Sequence, residues 1–210
     1  MTFSNLLNPQ ASKILAYKAV SSEQVKALEP IAAKSENCTM YQLMARAGEA
    51  AFMVLMRHWP NAQKILVVAG NGNNAGDAYI VATLAHQSGK DVWVICEDPA
   101  RKLPGDGGIA QANWQQVSSN TCRFDQVQFS QFEVIVDGLL GTGVNGDVKA
   151  LFQEQILKIN RAELPVLSLD LPSGMLANTG IALPVCVEAD ITITFIAPKP
   201  GFVNGHWQTI

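Results

Sequence analysis

Charge is thin in this chain. Asp, Glu, Lys and Arg make up 16% of the 210 residues, the formal net charge is −3, and no basic cluster occurs. Nucleic acid demands a basic stripe or patch, so that class of partner is excluded. Long apolar runs are also missing. No stretch reaches the roughly 20 residues that a membrane-crossing helix needs. The opening MTFSNLLNPQASKILAYKAV has no charged segment leading into an apolar one, so no secretory signal is read and the expected compartment is the cytoplasm. Cysteine is scattered: Cys38, Cys96, Cys122 and Cys186 form no CxxC pair and have no histidine at ligand spacing, which leaves no zinc pattern. Cys96 and Cys186 lie in apolar runs and read as reduced core thiols.

Apolar residues, by contrast, are 48% of the chain, enough to bury a substantial core. The length fits one domain, and no repeat, low-complexity stretch or linker divides it. Two helices are expected first. Ser21 with Gln24, and Thr39 with Gln42, have capping-box spacing. The first box precedes Val25, Leu28 and Ile31. The second precedes Leu43, Met44, Ala47, Ala51, Val54 and Leu55, whose three- and four-residue steps mark one buried face.

Strands and helices then alternate. Strands are expected at 64–69, 92–96, 134–136, 166–169 and 191–196, and helices at about 77–88, 107–117 and 148–160. LPGDG at 103–107 reads as a surface turn, and 118–131 is too polar to assign. The strands are apolar on both faces, as parallel strands covered by helices must be. This alternation implies an α/β fold: a Rossmann-like, doubly wound, mostly parallel sheet with helices on both faces and an N-terminal helical arm. The whole of 1–210 is read as one domain, with 1–60 the arm packed on the sheet and 61–210 the core.

In such a sheet, ligands bind beyond the carboxyl ends of the strands. Three glycine- and aspartate-bearing turns follow strands there: GNGNNAGD, Gly70 to Asp77; DGLLGTGVNGD, Asp137 to Asp147; and DLPSG, Asp170 to Gly174. In the first, Gly70 and Gly72 allow close approach by a backbone, and Asn73 and Asn74 offer donors and acceptors. Asp77 either caps helix amides or accepts from a ligand hydroxyl. The amides of the second loop suit phosphate. Asp137 and Asp170 are expected to project into one crevice with few compensating lysines or arginines. Like charges so placed raise one pKa or recruit a cation, and oxygen donors suit a hard one. Gly70-x-Gly72-x-x-Ala75, with Glu97 further on, also matches a dinucleotide fingerprint and keeps an NAD-dependent oxidoreductase open as an alternative.

VVAGNGNNAGDAYIVATLA, VIVDGLLGTGVNGDV, VLSLDLPSGMLANTG and ITITFIAPKPG, with LMARAG upstream, together resemble the NAD(P)HX epimerases, the YjeF N-terminal domain family, over roughly 20–202. The resemblance implies an enzyme interconverting the R and S forms of hydrated NADH and NADPH. A dehydratase that accepts the S form, fused or separate, would be its partner, and a homodimer its assembly. Carried over by motif, the substrate is held by Asn73, Asn74, Ala75, Gly76 and Asp77, and by Gly141, Thr142, Gly143, Val144, Asn145, Gly146 and Asp147. Asp170 touches the reacting nicotinamide as the catalytic residue, and Asn74, Asp137 and Ser173 bind a potassium ion. Ala75 stands where the family more often has glycine, and Thr142 where it has an aromatic. The end at Ile210 resembles a domain cut from a bifunctional epimerase/dehydratase, with a stand-alone epimerase as the alternative. A non-catalytic nucleotide-binding or scaffold module of the same fold is the other reading.

Overall fold

The computed structural model describes residues 19–144, 146 and 148–204. Both capping boxes form. Ser21 starts α1 (Ser22–Ser35) and Thr39 starts α2 (Met40–His58), each with its side chain accepting from the glutamine amide three residues on and its own amide bonded back. The inward stripe of α1 is short. Ser22, Val25 and Ala33 are buried, whereas Leu28 and Ile31 are 36% and 62% exposed. Positions 22, 25, 29 and 33 share a helix face, and Glu29 occupies the middle of it. On α2, Gly48, Ala51 and Leu55 are buried. A Cβ on Gly48 would lie 2.5 Å from Ile80 Cγ2, so the glycine lets the two helices touch backbone to side chain.

The α/β part runs β1 (Lys64–Ala69), α3 (Asn73–Gln87), β2 (Asp91–Cys96), α4 (Gly105–Val117), β3 (Thr121–Arg123), β4 (Val134–Gly138), α5 (Ala150–Asn160), β5 (Val166–Leu169), β6 (Ile191–Ile193) and the short α6 (Gly201–Asn204). The sheet order is β3-β2-β1-β4-β5-β6, with every pairing parallel. Side chains alternate across it. Ile65, Val67 and Ala69 join a core with α2, α3 and α4. Leu66 and Val68 face the other side, where Ile156 and Ile159 of α5 meet Phe124, Phe132 and Val187 from irregular segments. Among the described residues no helix is long and apolar enough to cross a membrane.

Several boundaries move from their expected places. α3 begins four residues early, at Asn73, with Gly72 as its N-cap and no side-chain cap bond. Asparagine favours turns over helix interiors, which hid that first turn. LPGDG is not a surface turn: Leu103 is buried, its amide donates to Gln111 Oε1 at 2.9 Å, and α4 starts at Gly105. The unassigned 118–131 contains β3 and two single 3₁₀ turns. α5 starts at Ala150 rather than 148, and β6 stops at Ile193 rather than 196.

Candidate functional site

β1 and β4 are neighbours, yet the chain leaves them in opposite directions along the sheet. Their carboxyl ends therefore open a crevice at the switch point. The turns meet closely there. Gly70 N donates to Gly138 O at 3.1 Å, and a Cβ on Gly70 would fall 1.8 Å from Leu139 O. Asn74, buried in the first turn of α3, ties this junction to the third turn. Its Nδ2 donates to Leu140 O at 2.8 Å and to Leu169 O at 2.9 Å. Both donors being used, the amide orientation is fixed, and Asn74 Oδ1 is left buried without a hydrogen-bond partner.

Asp137 completes this group. It is fully buried and its carboxylate accepts from Ser173 Oγ at 2.5 Å, Ser173 N at 2.9 Å, Ser168 Oγ at 2.8 Å and Leu139 N at 3.2 Å. Burial raises its pKa, and the bonds from Ser173, Ser168 and Leu139 only partly offset this. Asn74, Asp137 and Ser173 thus converge, and an orphaned amide oxygen beside a carboxylate and a hydroxyl is a donor set that fits a hard monovalent cation.

Asp170 lies at the end of β5 but turns elsewhere. Its φ is +64°, the left-handed region that a non-glycine residue seldom enters. Its carboxylate accepts from Lys199 Nζ, and more weakly from Phe195 N at 3.3 Å and Thr194 Oγ1 at 3.4 Å. Asp77 is the fifth residue of α3, beyond the capping turn, and is buried. Burial pushes its pKa well above the ordinary 3.8, and the charges of Asp170 and Glu29 push it further against the pull of Lys199. Glu29, half-buried on α1, is raised by burial first and by Asp170 next, with Lys199 and Lys26 opposing. The expectation that Asp137 and Asp170 form one under-compensated pair is therefore corrected. Asp137 belongs with the serines and Asn74, and Asp170 is ion-paired to Lys199 beside Asp77 and Glu29.

The second loop stands over Asn74. A Cβ on Gly141 would be 3.1 Å from Asn74 Cβ, and Val144 N closes a turn to Gly141 O at 3.3 Å. Thr142 and Val144 are half-buried, Gly143 and Gly146 are exposed, and Gly146 has φ +91°. Asn145 and Asp147 lie outside the described residues. Of the first loop, Asn73 is exposed, while Ala75 and Gly76 are buried in α3. Gly76 meets the arm: a Cβ there would be 2.6 Å from Met44 Sδ. Ala75 is helical, with no positive φ to penalise its methyl group. Glu97, the acid of the dinucleotide fingerprint, accepts from Asn71 Nδ2 at 2.9 Å.

Lys199 and Glu29 escaped the sequence reading. Lys199 lies in FIAPKPG, among apolar residues just past a strand end, and that context alone says neither that its ammonium is buried nor which carboxylate it meets. Glu29 gave only its place on the stripe of Ser22, Val25 and Ala33.

The family model described as YjeF-related protein N-terminus matches residues 40–201. The chain is 36% identical over 198 residues to the Bifunctional NAD(P)H-hydrate repair enzyme of Leishmania infantum, covering 92% of this chain and 35% of that one. It is 41% identical over 180 residues to the Bifunctional NAD(P)H-hydrate repair enzyme Nnr of Coxiella burnetii, covering 86% and 37%. The chain thus spans little more than a third of these relatives. With the NAD(P)H-hydrate epimerase of Limosilactobacillus fermentum the identity is 30% over 199 residues, covering 91% of both chains. The crystal structure of the yeast protein YNL200c superposes with a TM-score of 0.78 at 19% identity, over 90% of this chain and 84% of that one, which shows the shared fold.

Proposed function

The chain belongs to the YjeF-related N-terminus family, and from that premise we propose that it epimerises the R and S hydrates of NADH and NADPH at the crevice of β1, β4 and β5. The observation that carries this reading is the meeting of all three strand-end turns on Asn74, whose side chain bonds to the second and third turns at once. A nucleotide is then held by the Asn73–Asp77 turn and by the Gly141–Asp147 loop, with its reduced nicotinamide toward Asp170. Asn74, Asp137 and Ser173 would hold a potassium ion, which supplies fixed positive charge beside an anionic ligand.

Epimerisation at C6 requires breaking one C–O bond and forming another on the opposite ring face. Asp77, whose neutral form is favoured by burial and by the charges of Asp170 and Glu29, protonates the departing hydroxyl, which leaves as water. The ring nitrogen's lone pair stabilises the resulting cation. Asp170, an ion-paired carboxylate, faces that charge and takes the proton of the water that adds to the other face. One water leaves and one enters; returning the proton from Asp170 to Asp77 resets the site. Two carboxyl groups in different environments are the arrangement such a division of labour needs.

We assign the partner reaction to a dehydratase that consumes the S hydrate, in cis or in trans, and the setting to the cytoplasm. A homodimer is supported by Ile31 and Met53, 62% and 49% exposed on the outer faces of the arm; a monomer in sedimentation equilibrium at micromolar concentration would overturn it. The activity is tested by supplying mixed R and S hydrate with an S-specific dehydratase. The chain should speed conversion of the R half, and no acceleration sinks the reading. Asp170→Asn should lower turnover on the order of 100-fold with ligand binding retained.

A further inference from the structure

Lys199 is fully buried and has no part in the scheme above. Its Nζ donates to the Asp170 carboxylate, to Thr194 Oγ1 at 2.7 Å and to Phe195 O at 2.9 Å. An ammonium has three hydrogens, and here each has an acceptor, so none is left for a ligand. Burying a lysine is costly unless it is paired and fully bonded. Of the carboxylates, Asp170 is in contact with the cation, and the charge of Lys199 also opposes the raised pKa of Asp77 on α3 and of Glu29 on α1. Asp170 in turn has a left-handed backbone, which persists only where the surroundings over-determine it. Its amide is held by Ile193 O at 2.7 Å and its side chain by Lys199.

We propose that Lys199 is the positioning residue of this site, clamping the Asp170 carboxylate in the one orientation from which it meets the reacting ring. The inference rests on the epimerase reading for its consequence in turnover, but not for the clamp itself. Lys199→Met keeps most of the side chain's length and removes the charge. Asp170 would then face Asp77 and Glu29 without a cation beside it. The expected result is a kcat lower on the order of 100-fold with KM within about threefold of wild type. In protein carrying ¹³C-carboxyl aspartate, with no substrate present and at one fixed pH, the Asp170 carboxyl resonance should be displaced in Lys199→Met relative to wild type.

An unchanged Asp170 resonance overturns the clamp, whether or not the wild type turns over hydrate. A wild type that fails to interconvert the hydrates overturns the epimerase reading and leaves the resonance to decide on Lys199. Should Lys199→Met not fold, Thr194→Val removes one of the three acceptors, and with it the weak bond from Thr194 Oγ1 to Asp170, and keeps the charge. It should lower kcat on the order of tenfold or more, as expected for a lost hydrogen bond to a charged group, with KM unmoved. An unaltered kcat together with an unaltered Asp170 resonance overturns the proposal.

Discussion

Single atoms decide the crevice. Gly70 and Gly72 sit two residues apart in the same turn and differ completely in what surrounds them. A methyl group on Gly70 collides with Leu139 O, whereas nothing lies within 4 Å of one on Gly72. Gly70→Ala should cost about 1–3 kcal/mol in thermal unfolding, while Gly72→Ala should stay within about 0.5 kcal/mol. Asp77 sets a different balance. Unfolded, it loses its proton near 3.8; folded, it keeps it to well above that value. Between those two points the folded chain binds more protons than the unfolded one, so stability falls as pH rises through the window. Asp77→Asn removes that slope. Its gain in Tm over wild type should be larger at pH 7 than at pH 4, with turnover lost; an equal gain at both pH values would contradict the burial argument. At this scale the sequence announced Asn74, Asp137, Ser173 and Asp170 through their places after strands. It hid Lys199, because nothing local says which carboxylate a buried ammonium will find.

Elements place those atoms. The capping box of Ser21 and Gln24 fixes the start of α1, and α1 carries Glu29 to the Asp170–Lys199 pair. Ser21→Ala should cost that helix about 1 kcal/mol. The measurement is hydrogen exchange, with amides of 22–29 expected to exchange about fivefold faster and those of β1 and β4 unchanged. Both capping boxes were legible because their spacing is rigid, and the strands because β-branched runs have few other uses. The start of α3 was not, since Asn73 and Asn74 have the chemistry of a turn while the tie from Asn74 to Leu140 and Leu169 holds them helical. On α1, Ser22, Val25 and Ala33 turn inward with a half-buried Glu29 on the same face, while Leu28 and Ile31 remain outside, an arrangement that apolar periodicity does not announce.

At the scale of the whole molecule, the proposed cation would be coupled to the fold. Asn74, Asp137 and Ser173 come from α3, β4 and the turn after β5, which meet only in the native state. A potassium ion held there, as proposed, would stabilise by mass action, by about 2.7 kcal/mol at a hundred times its Kd. Wild-type Tm should be higher in potassium chloride than in the chloride of a bulky organic cation at equal ionic strength, and Asn74→Ala should show no such difference. The doubly wound order was readable from the alternation of elements, but the pairing of β1 with β4 was not, because neighbours in a sheet need not be neighbours in the chain. The two sides of that sheet are unequally clad. Three helices cover one, while α5 shares the other with coil around Phe124, Phe132 and Val187. Coil shields backbone amides less well than a helix. The molecule therefore has a tough side and a yielding one, and native-state hydrogen exchange should find the backbone beneath that coil opening before the amides of α3.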